Sequence, residues 1–483
     1  LNPYRQKRIC ADKYQKPLTG GHQGHMAIII KNGIIVRADD TFAADLLIAN
    51  ERIQAIGRNL VYSGAEVIDA RDCYVMPGGV DAHTHCNLEI GGARVHDDFF
   101  SATRAAAWGG TTCIVEHPGF GPEGCDLDHQ IKQYQRAAQG QAVIDYGLHG
   151  VFQHVDTGVL DRISGLIHEG IPSFKVYLTY AYALGDEDLS ALLPALKKHN
   201  GLFMVHAEND AIIQALQKQF LAEGKTGAIW HARSRPDYCE AEAVERVLGL
   251  AEAAGGVPVY IVHLSTALGL EKIRQARARG QVVYAETCPQ YLLLDESCYE
   301  EPDSAGLKYV MSPPLRNTAD QEALWQALRG NEIDVVATDH CAFDFSLKKS
   351  RGQTDFSRCP GGIAGLETRV PLLFSEGVIK KRLSLERFVD AVATRPAKIM
   401  GLYPRKGDLC PGADADVVIL DPRKQVFIRH SELHDAVDYT PFEGFKVQGW
   451  PILTMVRGQV LVKDNIFMGE KGFGRFLPRA KSV

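Results

Sequence analysis

Two histidines one residue apart, His83 and His85, stand in the stretch PGGVDAHTHC (77–86). If that stretch ends a strand, side chains two apart leave the same face. Both imidazoles, and Asp81 with them, would then point at one locus. Neutral imidazole suits Zn²⁺, Ni²⁺, Fe²⁺ or Mn²⁺; the bland alternative is a surface strand that happens to carry two histidines. Four later runs weigh against the bland one. Lys175 lies in SFKVYLT (173–179), His206 in GLFMVHAE (201–208), His263 in VPVYIVHLS (257–265) and Asp339 in DVVATDH (334–340), each near the end of an apolar, β-prone run. Taken singly, a histidine there is a hydrogen-bonded core residue and an aspartate is a helix cap. Lys175 resists that treatment, because a charged lysine inside Ser-Phe-Lys-Val-Tyr-Leu is costly to bury.

Four histidines, one aspartate and one misplaced lysine suggest two metal ions rather than one. Two divalent ions need a bridging anion. Lysine supplies one only after CO₂ adds to its neutral amine, giving a carbamate with an oxygen for each metal. On this reading His83, His85 and Asp339 hold one ion, His206 and His263 the other, and Lys175 is carboxylated. Water activated between two such ions is a strong nucleophile near neutral pH. The free carboxylate oxygen of Asp339 is the candidate to take its proton and deliver it to a leaving nitrogen.

These residues need a scaffold that brings strand ends together. The candidate strands between 79 and 340 are GVDAHTH, TTCIVEH, AVIDYGLHG, SFKVYLT, GLFMVHAE, VPVYIVHLS, VVYAETCP and DVVATDH, with helix-like stretches such as DHQIKQYQRAAQG and TADQEALWQALRG between them. Eight βα repeats predict an α/β fold, a (β/α)8 TIM-like barrel, whose chemistry sits at the C-terminal ends of the strands. Residues 26–76 are short β-prone runs that read as an antiparallel unit with an apolar face to cover, and β character returns after Ile399. The expected division is therefore a prefix at 1–25, a first β part at 26–76, the metallohydrolase barrel at 77–400, a second β part at 401–471 and a tail at 472–483. The two β parts close one discontinuous β-sandwich domain, and the tail is expected to pack on a neighbouring subunit.

Composition bounds the rest. Among 483 residues, 53 Lys and Arg against 59 Asp and Glu give a net charge of −6, with no long basic run, which does not suggest a nucleic-acid or anionic-membrane partner. The mean hydropathy is −0.13, and no apolar run approaches the roughly 20 residues of a membrane span. The 11 cysteines include no CxxC pair, so free thiols in a reducing cytoplasm are the economical expectation. Residues 1–25 lack the apolar stretch of a signal peptide and read as a native extension or expression-derived sequence.

Set in order, the motifs GVDAHTH (79–85), FKVYLTY (174–180), MVHAEND (204–210), LAEGKTG (221–227), HARSRP (231–236), VHLS (262–265), ETCPQYLLL (286–294), KYVMSPPLR (308–316), ATDHC (337–341) and GIAGLETRVP (362–371) make a specific set. Over residues 27–470 the sequence resembles the cyclic amidohydrolases of the dihydropyrimidinase/D-hydantoinase family, within the urease-related amidohydrolase superfamily. The resemblance implies two zinc-type ions, with manganese, cobalt or iron as alternatives, and N6-carboxylysine at Lys175. It also implies hydrolytic opening of a small cyclic amide, a 5,6-dihydropyrimidine or 5-substituted hydantoin, to an N-carbamoyl amino acid. By motif match Tyr180 donates to the oxyanion, while Ser312 and Gly361 contact the ring through their backbones. A homotetramer is implied, with a homodimer as the alternative. An allantoinase-type ureide hydrolase is the nearer competing activity, and a non-catalytic scaffold of the same fold the more distant one.

Three stretches depart from the family's usual text. Cys86-Asn-Leu-Glu-Ile-Gly-Gly92 replaces a PFGG-like continuation, Cys359-Pro-Gly-Gly362 replaces IPNG, and Ala342-Phe343 replaces Pro-Phe. None removes an expected ligand, and each is expected to reshape the substrate pocket.

Overall fold

The computed structural model describes residues 27–481; the expected prefix at 1–25 lies outside them. Eight runs rich in apolar and β-prone side chains form the central strands: β1 (Gly79–Thr84), β2 (Thr111–Glu116), β3 (Asp145–Leu148), β4 (Ser173–Tyr177), β5 (Leu202–His206), β6 (Val259–Ile261), β7 (Val283–Thr287) and β8 (Val335–Val336). Every neighbouring pair is parallel from β1 to β3 and from β4 to β8. Gly150–Val151, one residue beyond β3, pairs with β4 and joins the two runs. The ring closes where the Asp339 amide donates to the His83 carbonyl at 3.0 Å and the His85 amide to the His340 carbonyl at 2.8 Å. Val80, Val115, Met204, Tyr260 and Val335, from both sides of this ring, share one buried cluster. The barrel is thus filled with side chains, as eight-stranded barrels are.

Helices follow the strands as the sequence predicts, among them Phe99–Trp108, Thr157–His168, Ala267–Ala278 and Thr318–Arg329. Their starts are fixed by the side chains of Asp98, Asp156, Thr266 and Asn317, each accepting a backbone N–H of the first turn. The helix Asp210–Ala222, whose Ile213 is buried, follows β5 in the same way. No helix among the described residues is long and apolar enough to cross a membrane.

The accessory β-domain draws on distant parts of the chain. Tyr74–Pro77, which leads into β1, runs antiparallel to Val417–Phe427 in a seven-stranded sheet, and a four-stranded sheet is built from Ile28–Lys31, Asp45–Ala49, Arg52–Gly57 and Glu66–Asp69. Ile30, Ile48 and Val75 share a core with Ala415, Val417 and Met455. The expectation of a purely antiparallel unit needs correcting. Ile28–Lys31 pairs parallel with Glu66–Asp69, and Ile34–Val36 parallel with Tyr74–Pro77, because the chain passes between the two sheets and returns to each in the same direction.

The described part of the tail lies on this chain's own barrel. The Tyr146 amide donates to the Arg475 carbonyl at 3.0 Å, and the Leu477 amide to the Tyr146 carbonyl at 2.7 Å. Buried Arg479 donates to the Leu148 carbonyl at 2.6 Å and the Ser173 hydroxyl at 2.8 Å. Backbone groups of β3 left open by the short strand thus find partners here rather than in a neighbour. Nearby, the fully buried Lys406 ammonium meets Asp145 of β3 at 2.7 Å, Asp416 at 2.8 Å and Asp414 at 3.2 Å. This seam of charge joins the barrel to the β-domain.

Candidate active site

The end of β1 brings His83 Nε2 within 3.2 Å of His85 Nε2. Each of these nitrogens lies 3.2 Å from Asp339 Oδ1, since the hydrogen bond from the Asp339 amide to the His83 carbonyl pins the segment after β8 against β1. The three form a cluster able to hold a metal ion, their ligand atoms all within 4.8 Å of one another. Lys175, fully buried on β4, reaches to 3.3 Å from His83 Nε2. At the ends of β5 and β6, His206 Nδ1 and His263 Nε2 stand 2.9 Å apart, and the His263 ring lies 5.5 Å from that of His83. All six residues expected to bind metal therefore meet at one end of the barrel. Asp81 does not join them. Its carboxylate accepts from the His83 amide at 3.1 Å and faces Arg369 at 3.5 Å, held one turn of the pleat below the locus.

Two buried carboxylates fix the imidazoles from behind. Glu286 Oε1 is 2.7 Å from His83 Nδ1, and Glu208 Oε2 is 2.8 Å from His206 Nε2. A ring nitrogen that gives its proton to a carboxylate leaves the other nitrogen's lone pair free to bind metal. Here the free lone pairs are His83 Nε2 and His206 Nδ1, the two that face the locus. Burial pushes His83 and His263 well below the usual histidine pKa, so both rings are neutral. Lone pairs and one carboxylate oxygen converging on a point, with Lys175 the only cation in contact among the described residues, suit a divalent ion. Burial also lowers the Lys175 ammonium to about 8, which leaves much of its amine neutral at mildly alkaline pH.

The supports are themselves held. Glu286 accepts from the Tyr260 hydroxyl at 2.7 Å and the His263 amide at 3.0 Å, and burial raises it to about 7. Burial would raise Glu208 as well, but Arg235, 2.6 Å away, His206 and Arg316 together outweigh it and the carboxyl sits at about 2. Sequence reasoning missed Glu208, Glu286 and Arg235, although HAE and ETC end their strands with a carboxylate in the same position as the histidines end theirs.

The locus opens into a cavity of about 850 Å³, lined by Tyr180, Ser312 and Gly361, within the usual size range of small-molecule sites. The Tyr180 ring lies 5.1 Å from that of His206, and its hydroxyl is in hydrogen-bonding reach of Ser312. The loop carrying Ser312 is fixed from outside: His231 Nε2 meets the Met311 carbonyl at 2.7 Å, and buried Lys348 donates to the carbonyls of Val310 at 2.8 Å and Lys308 at 3.1 Å. A Cβ built on Gly361 would make only ordinary contacts, with Met311 Cα at 3.7 Å and Ser312 Oγ at 4.0 Å, so a side chain fits at this position as well as glycine does. The departing stretch at 87–92 forms a small hairpin on the rim, with Leu88 and Ile90 facing in. Phe343, from the altered Ala342-Phe343 pair, packs beneath it with Leu88.

A packed parallel barrel with a His-X-His pair closed by an aspartate from the last strand defines a metal-dependent amidohydrolase, and the amidohydrolase family model matches residues 74–461. The chain is 50% identical over 459 residues to a D-phenylhydantoinase of Escherichia coli O1:K1 / APEC, covering 95% of this chain and 99% of the relative. A solved D-hydantoinase superposes with a TM-score of 0.93 at 46% identity, covering 94% of this chain and 99% of that one. The dihydropyrimidinase of Brevibacillus agri NCHU1002 also gives 0.93, at 43% identity, covering 95% and 100%. The chain belongs to the dihydropyrimidinase/D-hydantoinase family of amidohydrolases.

Proposed function

We propose that this protein is a metal-dependent cyclic amidohydrolase that opens 5,6-dihydropyrimidine or 5-substituted hydantoin rings at the bond between a carbonyl and the ring nitrogen, giving N-carbamoyl amino acids. The observation that carries the proposal is the convergence of His83, His85 and Asp339 on one metal-ligating cluster, with Lys175, His206 and His263 adjoining it. On this reading His83, His85 and Asp339 hold one ion, His206 and His263 a second, and Lys175 carries the bridging carbamate. Zinc is the expected ion, and manganese, cobalt or iron are alternatives. Two divalent ions bound there lower the pKa of water and polarise a carbonyl oxygen.

The chain's own residues do the rest. Glu208 and Glu286 keep the imidazoles turned toward the locus. Tyr180 donates its phenolic hydrogen to the carbonyl oxygen as negative charge develops there. The free oxygen of Asp339 accepts the proton of the attacking water and passes it to the departing ring nitrogen, which leaves as a neutral amide. Ser312 and Gly361 orient the ring through main-chain atoms. The domain division set out from the sequence, a homotetrameric assembly and a cytoplasmic location complete the proposal; the ten described cysteines, all free, fit the last.

The test is an assay of the metal-loaded protein against dihydrouracil, hydantoin, 5-phenylhydantoin and allantoin, with metal content measured on the same sample. Ring opening of the first three with about two ions per chain is expected. A sharp preference for allantoin would move the assignment to a ureide hydrolase. No turnover by fully metallated protein would sink the proposal, and no metal uptake after supplementation would leave a scaffold.

A further inference from the structure

The rim hairpin is stapled from across the cavity mouth by one side chain. Ile90 pairs with Ala93 and Glu89 with Arg94 around Gly91 and Gly92, whose φ angles are 55° and 67°. Two successive positive-φ residues make the two-residue turn that matches strand twist. Their carbonyls point away from the ladder and need other partners. Arg351 supplies both, Nη1 donating to the Gly91 carbonyl at 3.0 Å and Nη2 to the Gly92 carbonyl at 2.7 Å.

Arg351 belongs to the helix Phe345–Gly352, which begins shortly after Asp339. The same stretch grips the hairpin's base. Leu88, Ala93 and Val95 share an apolar cluster with Cys341 and Phe343, Leu347 packs against it, and the His96 amide donates to the Ala342 carbonyl at 2.8 Å. With two residues per strand the hairpin has no stability of its own. Its position over the cavity is therefore set by these ties, and Arg351 makes the outermost one.

We propose that Arg351 is a positioning residue for substrate selection. Its two-pronged hold fixes the hairpin as a standing apolar wall, and Leu88 and Ile90 meet the C5 substituent of the ring. Only the identity of the substituent rests on the cyclic-amide reading; the hold itself does not. When the hold is lost, an incoming substituent must order the hairpin as it binds, and that ordering weakens binding. A ring without a substituent does not reach the wall.

The test uses the metal-loaded full chain with Arg351→Ala and Arg351→Lys. KM and kcat are compared for 5-phenylhydantoin and unsubstituted hydantoin, alongside amide hydrogen exchange over residues 88–94 and tryptic cleavage after Arg94. Arg351→Ala is expected to raise KM for the phenyl ring about tenfold relative to the bare ring, the size of one charge-assisted hydrogen bond. Exchange and cleavage in the hairpin should rise with it. Arg351→Lys, able to reach one carbonyl, should fall between. Unaltered exchange and cleavage, or KM values that shift equally for both rings, would overturn the proposal. If the wild type opens neither ring, the cyclic-amide reading fails while exchange and proteolysis still decide the hold.

Discussion

Tyr180 sits at a φ of 76°, a conformation that costs a bulky residue on the order of 1–3 kcal/mol. His263 and Asp339 share the left-handed region, at 39° and 52°. Three residues of the candidate site thus hold backbone shapes that the chain alone disfavours, and the surrounding barrel imposes them. Tyr180→Phe keeps the ring and the strain but removes the proton donor. It should lower kcat by about 10²- to 10³-fold with metal content and thermal midpoint unchanged, as elemental analysis and calorimetry would show. Lys175→Ala should lose metal as well as turnover, since on the proposed role it deletes the bridge; retention of two ions per chain would remove the carbamate from the mechanism. Of these residues, Lys175 was the most legible in the sequence because its burial had no cheaper explanation. Asp81 misled, because alternation along a strand predicts a shared face and says nothing of depth.

The strands set what each terminal side chain can meet. All eight were legible as apolar, β-prone runs between helical ones, and the convergence of the histidines followed from their strand-end positions. The carboxylates behind them did not. Glu286 lies 203 residues from its partner His83, and a carboxylate ending a strand looks the same in sequence whether it caps a helix or steers a metal ligand. Glu286→Gln and Glu208→Gln should each weaken metal binding by about 10- to 100-fold, read by chelator competition. Glu208→Gln should have the larger structural effect, because it also leaves the buried Arg235 charge without its 2.6 Å partner. Equal metal affinity in both variants and the wild type would mean that the rings are steered by packing alone.

Across the whole molecule, barrel and β-domain meet at the Lys406 seam, where Arg457 also donates to Asp145 at 3.1 Å. Lys406→Met leaves three buried carboxylates short of their cation and should cost about 3–5 kcal/mol, measured by denaturant unfolding. Burial disfavours the ammonium, but Asp416, Asp145 and Asp414 outweigh it and hold its pKa above the ordinary 10.5. A folded-state value above the unfolded one means that this stabilisation is fully present below about pH 10.5 and is lost as pH rises through the folded value. The wild type should therefore lose thermal stability in strong alkali, and Lys406→Met should lack that component.

This seam was not legible in the sequence, since Asp145, Lys406, Asp414 and Asp416 lie in separate stretches and nothing local shows that they meet. Its position has an effect at the opposite end of the barrel. Asp145 starts β3, which pairs with β2, and Gly150–Val151 just beyond β3 pairs with β4, the strand that carries Lys175. On the proposed metal reading, damage confined to the accessory sheets would thus be noticed first as metal lost from the far end of the barrel, with the fault lying in a part of the molecule that never touches it.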